Sequence, residues 1–444
     1  MRRFVFLLLG ASFCGMADAQ ISIVEYRDIV IESSLEVMNA QVGVEKSLSE
    51  MKLARKDHYP SLTADGEFNT GFRRDGDADL WHFAVEPRIE QTIYAGGVIR
   101  AASRQAEIGY FSALEERRNM ELEMRYQADY AYWSVSAMEL YMGATAEYVK
   151  IIRSLYGLVK ERYAEGLVSK SDMLQVEARL SDAEYSQIAI RKNYEVAVHR
   201  FNNLLGVADT SKVVLVNSII DSLPILKRES AEDIIPRRPD MEIAQAAIRS
   251  AEQSVVVAKA AYLPQLTVGV MGSWQTYSPN NSGDTYLDGA LVVGVNVPIF
   301  HFGKRRHAVA AARADVRREM NIMDDLKDVI SYEEADGWSA LESSYSQMKS
   351  SLHILEIAGE NLSISTYSYN EGRATVLDVL QAQISWIQIY TNAITARFNY
   401  AVAWSNYNKV TAQEGESWNP SHLGYKNRAV TTFVGQPQCF WIRI

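Results

Sequence analysis

The chain has only two cysteines, Cys14 and Cys439. Cys14 falls in an N-terminal stretch that reads as a removable secretory signal. Cleavage would leave Cys439 alone, which excludes a disulfide framework inside the mature chain. Long apolar runs are missing as well. After the signal, none approaches the roughly 20 residues that a membrane-spanning helix requires. The longest, residues 289–300, is interrupted by Asn296 and Pro298. Any crossing of a membrane must be made by strands. No Ser/His/Asp, Cys/His or paired-carboxylate constellation stands out, which makes an enzyme improbable. His301 and His307 flank Gly303-Lys304-Arg305-Arg306 but have no further ligands at metal spacing, so a basic helix start fits better than a metal site. Gly96-Gly97 lacks the Lys-Ser/Thr of a phosphate loop and reads as a turn. No cofactor is expected.

The signal spans residues 1–19: Arg2 and Arg3, an apolar run over 4–9, and Ala17-Asp18-Ala19 before Gln20 as a cleavage site. Phe13 stands where a small residue would precede a lipidated cysteine, which argues against lipidation of Cys14. Removal of the signal takes away two Arg and one Asp, so the net charge moves from −10 to −11. That acidity argues against nucleic acid as a partner.

What the chain does have is a repeat. Residues 163–175, Tyr-Ala-Glu-Gly-Leu-Val-Ser-Lys-Ser-Asp-Met-Leu-Gln, return as residues 369–381, Tyr-Asn-Glu-Gly-Arg-Ala-Thr-Val-Leu-Asp-Val-Leu-Gln. Further matches follow at the same offset, among them Ile188/Ile394, Arg191/Arg397, Asn193/Asn399, Tyr194/Tyr400 and Asn202/Asn408. An offset of nearly half the chain indicates a duplicated unit. In each copy Glu-Gly separates two helical patterns, with Ser or Thr and then Asp downstream. Gly can end one helix and the hydroxyl or carboxylate can cap the next, so the stretch is expected to be the tip of a helical hairpin.

Around the tips the periodicity alternates between 3.6 and 2. A helix is expected over 23–58, ended by Tyr59-Pro60. Strands follow over 62–73 and 81–93, separated by a loop at 74–79, with Trp81, Phe83, Val85, Ile89 and Ile93 on one face of the second. Each is long enough for the roughly 9–11 residues of a tilted membrane strand. A helix of about 65 residues, roughly 98 Å at 1.5 Å per residue, then runs to Arg162 with a stripe through Leu122, Tyr126, Tyr130, Trp133, Ala137, Leu140, Ala144, Tyr148, Ile151, Leu155 and Leu158. After the tip, a helix spans 170–206 and an irregular segment spans 207–239 with one strand-like run, 213–216. The second half repeats the plan: a helix from Asp240, a strand with Leu266, Val268, Val270 and Trp274, a loop at 278–284, and a strand with Leu291, Val293, Val295, Val297 and Ile299 on one face. A long helix to about Ser368 carries Tyr345, Met348, Leu352, Leu355, Leu362 and Tyr369, and a last helix reaches about Thr411. The tail, 413–444, has no clear period. The organisation expected is a signal at 1–19, a first repeat at 20–206, a connector at 207–239, a second repeat at 240–412, and the tail. In each half, two shorter helices end to end roughly match the long one in length. Four strands cannot close a membrane barrel, and open sheet edges are not tolerated in lipid. Several subunits must share one.

These residues resemble a family. The repeat, the Tyr-x-Glu-Gly tips with downstream Asp-x-Leu-Gln, Arg238-Pro239-Asp240 opening the second half, Pro-x-Leu before strands and Ile-Phe-x-x-Gly after them are similar to the TolC-like outer-membrane efflux proteins, over about residues 23–412. The resemblance implies an α plus membrane-β fold with a two-fold internal repeat, in a homotrimer. Its four-stranded contributions would form a 12-stranded β-barrel in outer-membrane lipid, continued by a coiled-coil α-helical barrel across the periplasm. It implies an exit duct serving a periplasmic adaptor and an inner-membrane pump, in efflux or type I secretion. The tips would form the entrance, closed at rest and opened by untwisting of the hairpins. By motif position, Asp378 falls on an aspartate that rings the entrance, and Tyr369 and Asp172 on residues linking neighbouring hairpins. Gly166, Leu167, Gly372, Glu165 and Glu371 fall where adaptor hairpins dock. Gln381 stands where the best-known members carry a second acidic residue, and Ala374 where they carry a gate arginine, with Arg373 one position earlier.

Simpler roles stand beside these. Asp172 and Asp378 each suit a helix N-terminus, where a carboxylate is favoured by the dipole, and Tyr369 suits a helix seam. Phe72, Trp81, Tyr94, Trp274 and Phe300 suit interfacial girdles or hairpin packing. The alternative to a duct is a periplasmic coiled-coil adaptor or structural protein without a pore. Fractionation separates the two: the duct is extracted from outer membranes only with detergent, whereas the adaptor is released with the soluble periplasm.

Overall fold

A computed structural model of the protein describes residues 20–71, 80–207, 213–221, 227–277 and 284–413. The signal segment with Cys14, Phe72, the loop 74–79, the loop residues 278–283 and the tail beyond Gln413 lie outside the described residues. In chain order the elements are β1 (Gln20–Ile21), α1 (Ile23–Ser33), α2 (Leu35–Lys56), β2 (Ser61–Gly71), β3 (Leu80–Ala95), α3 (Val98–Ala164), α4 (Lys170–Leu205), β4 (Val214–Leu215), α5 (Ala231–Ile234), a 3-10 turn (Ile235–Arg237), α6 (Pro239–Ala260), β5 (Gln265–Tyr277), β6 (Thr285–Asn296), α7 (Lys304–Asn370) and α8 (Val376–Val410). The protein is mostly helical with one substantial sheet. Among the described residues no helix is long and apolar enough to cross a membrane.

Four expectations change in detail. The helix expected over 23–58 is two helices, because Ser34 is extended (φ −61°, ψ 126°). The Ser33 hydroxyl donates to the Leu204 carbonyl at 3.2 Å, the kind of bond by which serine competes with helix continuation. The fourth strand stops at Asn296, so Val297 and Ile299 lie beyond it, next to Pro298, which has no N–H for a ladder. The connector holds β4, α5 and the 3-10 turn rather than a strand-like run alone. On α3 the expected Trp133 and Ala137 are buried, but further along the fully buried positions are Ile152 and Val159, one place on from the expected Ile151 and Leu158, which are only half-buried. Tyr132 and Val135, absent from the expected stripe, are also fully buried.

The chain divides into two compact units, each drawing on both halves of the sequence. One comprises Met1–Ser34, Glu123–Glu229 and Glu334–Ile444. Its aromatic centre stacks Tyr26 on Phe201 at 4.0 Å, and the Tyr26 hydroxyl donates to the Phe201 carbonyl at 3.1 Å. The Tyr132 hydroxyl donates to the Ile21 carbonyl and accepts from the Asn217 N–H, both at 3.0 Å. Those bonds pin the ends of the parallel β1–β4 pair, in which the strand-like run expected at 213–216 supplies β4 while its pairing with Gln20 and Ile21 had no sequence signal. Arg27 of α1 grips Asp129 of α3 with two donors, Nη2 to Oδ2 at 2.8 Å.

The other unit comprises Leu35–Leu122 and Ser230–Glu333. It holds the antiparallel sheet, in the order β2-β3-β5-β6. Arg238 forks onto Asp240 at 2.6 and 3.0 Å and onto Glu333 at 2.6 Å, beside a core of Ile234, Met241 and Ile330. Gly96 makes the turn from β3 into α3 with φ +64°, and an added Cβ would lie 2.9 Å from the Ala260 Cα and carbonyl oxygen. Gly303, with φ +78°, precedes α7 in open space. Gly303→Ala should therefore cost about 1–2 kcal/mol for the left-handed backbone alone. Gly96→Ala should cost measurably more because α6 must also move. Thermal unfolding of the detergent-solubilised variants checks the order.

Candidate functional site

Two regions carry functional geometry: the sheet and the hairpin tips. In the sheet the registers align apolar residues into rows across all four strands. Leu62 pairs with Ile89, Ile89 with Val270, and Val270 with Leu291. All four side chains are exposed, Leu62 and Leu291 by 72% each. A second row runs Gly66, Val85, Trp274, Leu287. The alternate positions form a polar face where Asp65 lies opposite Glu86, Thr63 opposite Arg88 and Asn69 opposite His82. A register shift between Thr92 and Tyr94 leaves Ile93 unpaired. Opposite Leu266, Tyr94 joins the apolar rows, a transfer that simple alternation does not give. Phe83 meets Trp274 edge-on at 5.7 Å, and Phe300 meets Phe302 at 4.6 Å. The outer edges of β2 and β6 have no strand partner among the described residues.

The tips are built twice by the same local chemistry. Gly166 (φ +77°) closes α3: its N–H donates to the Tyr163 carbonyl at 3.0 Å, and the Leu167 N–H to the Arg162 carbonyl at 2.8 Å. Gly372 (φ +74°) closes α7 with the corresponding bonds to Tyr369 at 3.0 Å and from Arg373 to Ser368 at 2.8 Å. Both are left-handed glycine helix ends that satisfy otherwise orphaned carbonyls. Ser169 then caps α4 in a box with Asp172, and Thr375 caps α8 in a box with Asp378. The Asp172 Oδ2 accepts from the Ser169 hydroxyl at 2.9 Å, and the Asp378 Oδ2 from the Thr375 hydroxyl at 2.7 Å and N–H at 2.8 Å. Those bonds, the hydroxyl's first, hold the Asp378 carboxyl below its ordinary value of 3.8.

Within this frame the tip residues separate. Glu165, Gly166, Leu167, Glu371, Gly372, Arg373, Asp378 and Gln381 are exposed, and Asp172 is half-buried. Tyr369 is not at the surface: it is 4% exposed, whereas its counterpart Tyr163 is 38% exposed. It packs in a buried cluster with Ile152, Leu155 and Val159 of α3, Val176 of α4, and Val376, Val379 and Leu380 of α8. Its hydroxyl has no hydrogen-bond partner, on Asp172 or on any other described residue. The Arg162 guanidinium lies 4.6 Å from its ring centroid. Arg162 was not singled out from sequence, although it is the residue preceding the repeated Tyr and its counterpart in the second copy is Ser368. His301 packs edge-on against Tyr262 at 5.5 Å, and no group of three or more potential ligands capable of holding a metal occurs among the described residues.

Two helices of 67 residues, each closed by a left-handed glycine, and a four-stranded sheet with an exposed apolar face are the elements of a TolC-like outer-membrane channel. The fold matches the open state of the Neisseria gonorrhoeae MtrE outer membrane channel with a TM-score of 0.77 at 18% identity, covering 88% of each chain. The model of the outer membrane efflux protein family matches residues 27–207 and 231–412, and the chain belongs to that family. Among curated relatives it is 23% identical to protein CyaE of Bordetella pertussis over 83% of this chain and 79% of that one. It is 21% identical to the toluene efflux pump outer membrane protein TtgC of Pseudomonas putida, over 82% of this chain and 75% of that one. The protein is thus an outer-membrane exit channel of an efflux system, in a family of channel proteins.

The caps carry a testable consequence. Ser169→Ala and Thr375→Ala should each cost about 1 kcal/mol in denaturant unfolding. A carboxyl whose pKa is depressed in the folded state adds stability that is present above its unfolded value and is lost as pH falls through the folded one. Thr375→Ala should raise the Asp378 titration toward 3.8, seen by carboxyl carbon NMR, and should flatten that acid loss.

Proposed function

We propose that three copies of the chain assemble into one duct, each contributing four strands to a 12-stranded barrel in outer-membrane lipid and its long helices to a barrel reaching through the periplasm. The observation that carries this is the sheet: one exposed apolar face, one polar face, and two edges, β2 and β6, without partners among the described residues. Unpaired backbone groups are too costly in hydrocarbon to leave open, and closure around a three-fold axis pairs β2 of one copy with β6 of the next. The repeats at 20–206 and 240–412, joined by 207–239, are the duplicated building units, supported by the identical construction of the two tips.

In this assembly the tips form the periplasmic entrance. Asp378, exposed at the start of α8, is repeated three times around the axis, where the carboxylates repel one another and attract cations. Asp172, Tyr369, Arg373 and Gln381 complete the rim. The exposed Glu165, Gly166, Leu167, Glu371 and Gly372 receive a periplasmic adaptor, which couples the duct to an inner-membrane pump. Passage is passive, without a catalytic step. The names of the relatives support export, of toluene in the case of TtgC.

Mass determination in detergent with planar-bilayer recording tests the reading. A trimer with a small, cation-selective conductance is expected, with Asp378→Asn shifting the reversal potential in a KCl gradient toward zero. A monomer that stays soluble without detergent and does not conduct would overturn it.

A further inference from the structure

We propose that Arg162 clasps the two hairpin tips of one chain together by seating its guanidinium on the ring of Tyr369, so that the ring face, not the phenol hydroxyl, holds the tips. The proposal rests on the tips being the entrance.

Four observations converge on it. Tyr369 is the single α7 side chain in the buried cluster that α3, α4 and α8 share at the tips. Within that cluster the end of α7 meets the other hairpin through one ring. The hydroxyl of that ring is buried and makes no hydrogen bond. Asp172 and Asp378 hold their own caps with Ser169 and Thr375 through Oδ2, and neither accepts from that hydroxyl. Arg162, finally, is held at the last turn of α3, its carbonyl bonded to the Leu167 N–H, with the guanidinium 4.6 Å from the Tyr369 centroid. It makes no ion pair among the described residues, so the ring is the contact that its charge has. A planar guanidinium over an aromatic face gains from the ring's quadrupole, and more so when partly desolvated.

The clasp is one-sided. The residue corresponding to Arg162 in the second copy is Ser368, and the ring corresponding to Tyr369 is the exposed Tyr163. Each chain therefore has one such contact, and separating its two hairpins must break it.

Single-channel recording of the reconstituted protein reads the effect as open-state occupancy. Arg162→Gln, at a half-buried position, and Tyr369→Leu should each raise occupancy about two- to fivefold. The double variant should exceed neither single variant, and Tyr369→Phe, which keeps the ring face, should give a smaller rise than Tyr369→Leu. An equal rise for Tyr369→Phe and Tyr369→Leu would assign the latch to the hydroxyl and overturn the clasp. So would an unchanged occupancy in Arg162→Gln, or additive effects in the double variant. Asp378→Asn, measured in the same bilayers, separates the two levels. If it lowers cation preference while Arg162→Gln does nothing, the clasp falls and the entrance stands. If it leaves cation preference unchanged, the entrance falls, and the clasp with it.

Discussion

Backbone hydrogen bonding along the sheet edges is the constraint on which the rest of the protein depends. A strand can present apolar side chains to hydrocarbon, but it cannot leave a row of N–H and C=O groups there. The rows through Leu62, Ile89, Val270 and Leu291 give one face of this sheet an exposed apolar surface. Its order, β2-β3-β5-β6, places the first and last strands at the edges and joins the two hairpins through β3 and β5. Among the described residues the two edges, of β2 and β6, have no strand partner.

The transitions between strand and helix, and between helix and helix, are assigned to glycine for a steric reason. Gly96 lies so close to the Ala260 backbone that a side chain would displace α6. Gly166 and Gly372 have space around them but need positive φ to close α3 and α7. Only two residues then separate each of these glycines from the capping Ser169 or Thr375. Both reversals are therefore fixed by backbone bonds and one hydroxyl–carboxylate pair, independent of what the exposed tip residues contact.

That rigidity separates two roles that motif position alone assigned together. Asp172 and Asp378 hold their own helix starts, and Asp378 does so while remaining at the surface. Tyr369 is drawn into the seam between helices, where hydrophobic packing and the Arg162 guanidinium hold it. Copies of one motif thus came to differ through their neighbours: Tyr163 is left outside and Tyr369 is buried.

Periodicity and local chemistry determined a great deal in advance. The alternation in 62–71 and 81–93, the long stripe ending near Leu158, and Glu-Gly followed by Ser or Thr and Asp are all local signals. Each maps onto an element because a strand face, a helix face or a cap is decided within a few residues. Contacts between distant segments were not legible. The break at Ser34 coincides with a bond from Ser33 to Leu204, and the β1–β4 pair depends on Tyr132 and Asn217. The bulge that turns Tyr94 onto the apolar face is set by pairing with β5. Arg162 acquired a role only when α7 brought Tyr369 beneath it. Sequence alone fixes what each residue can do within its own turn of chain; only the tertiary structure decided which surface each side chain meets, because burial and long-range pairing are properties of the packed chain.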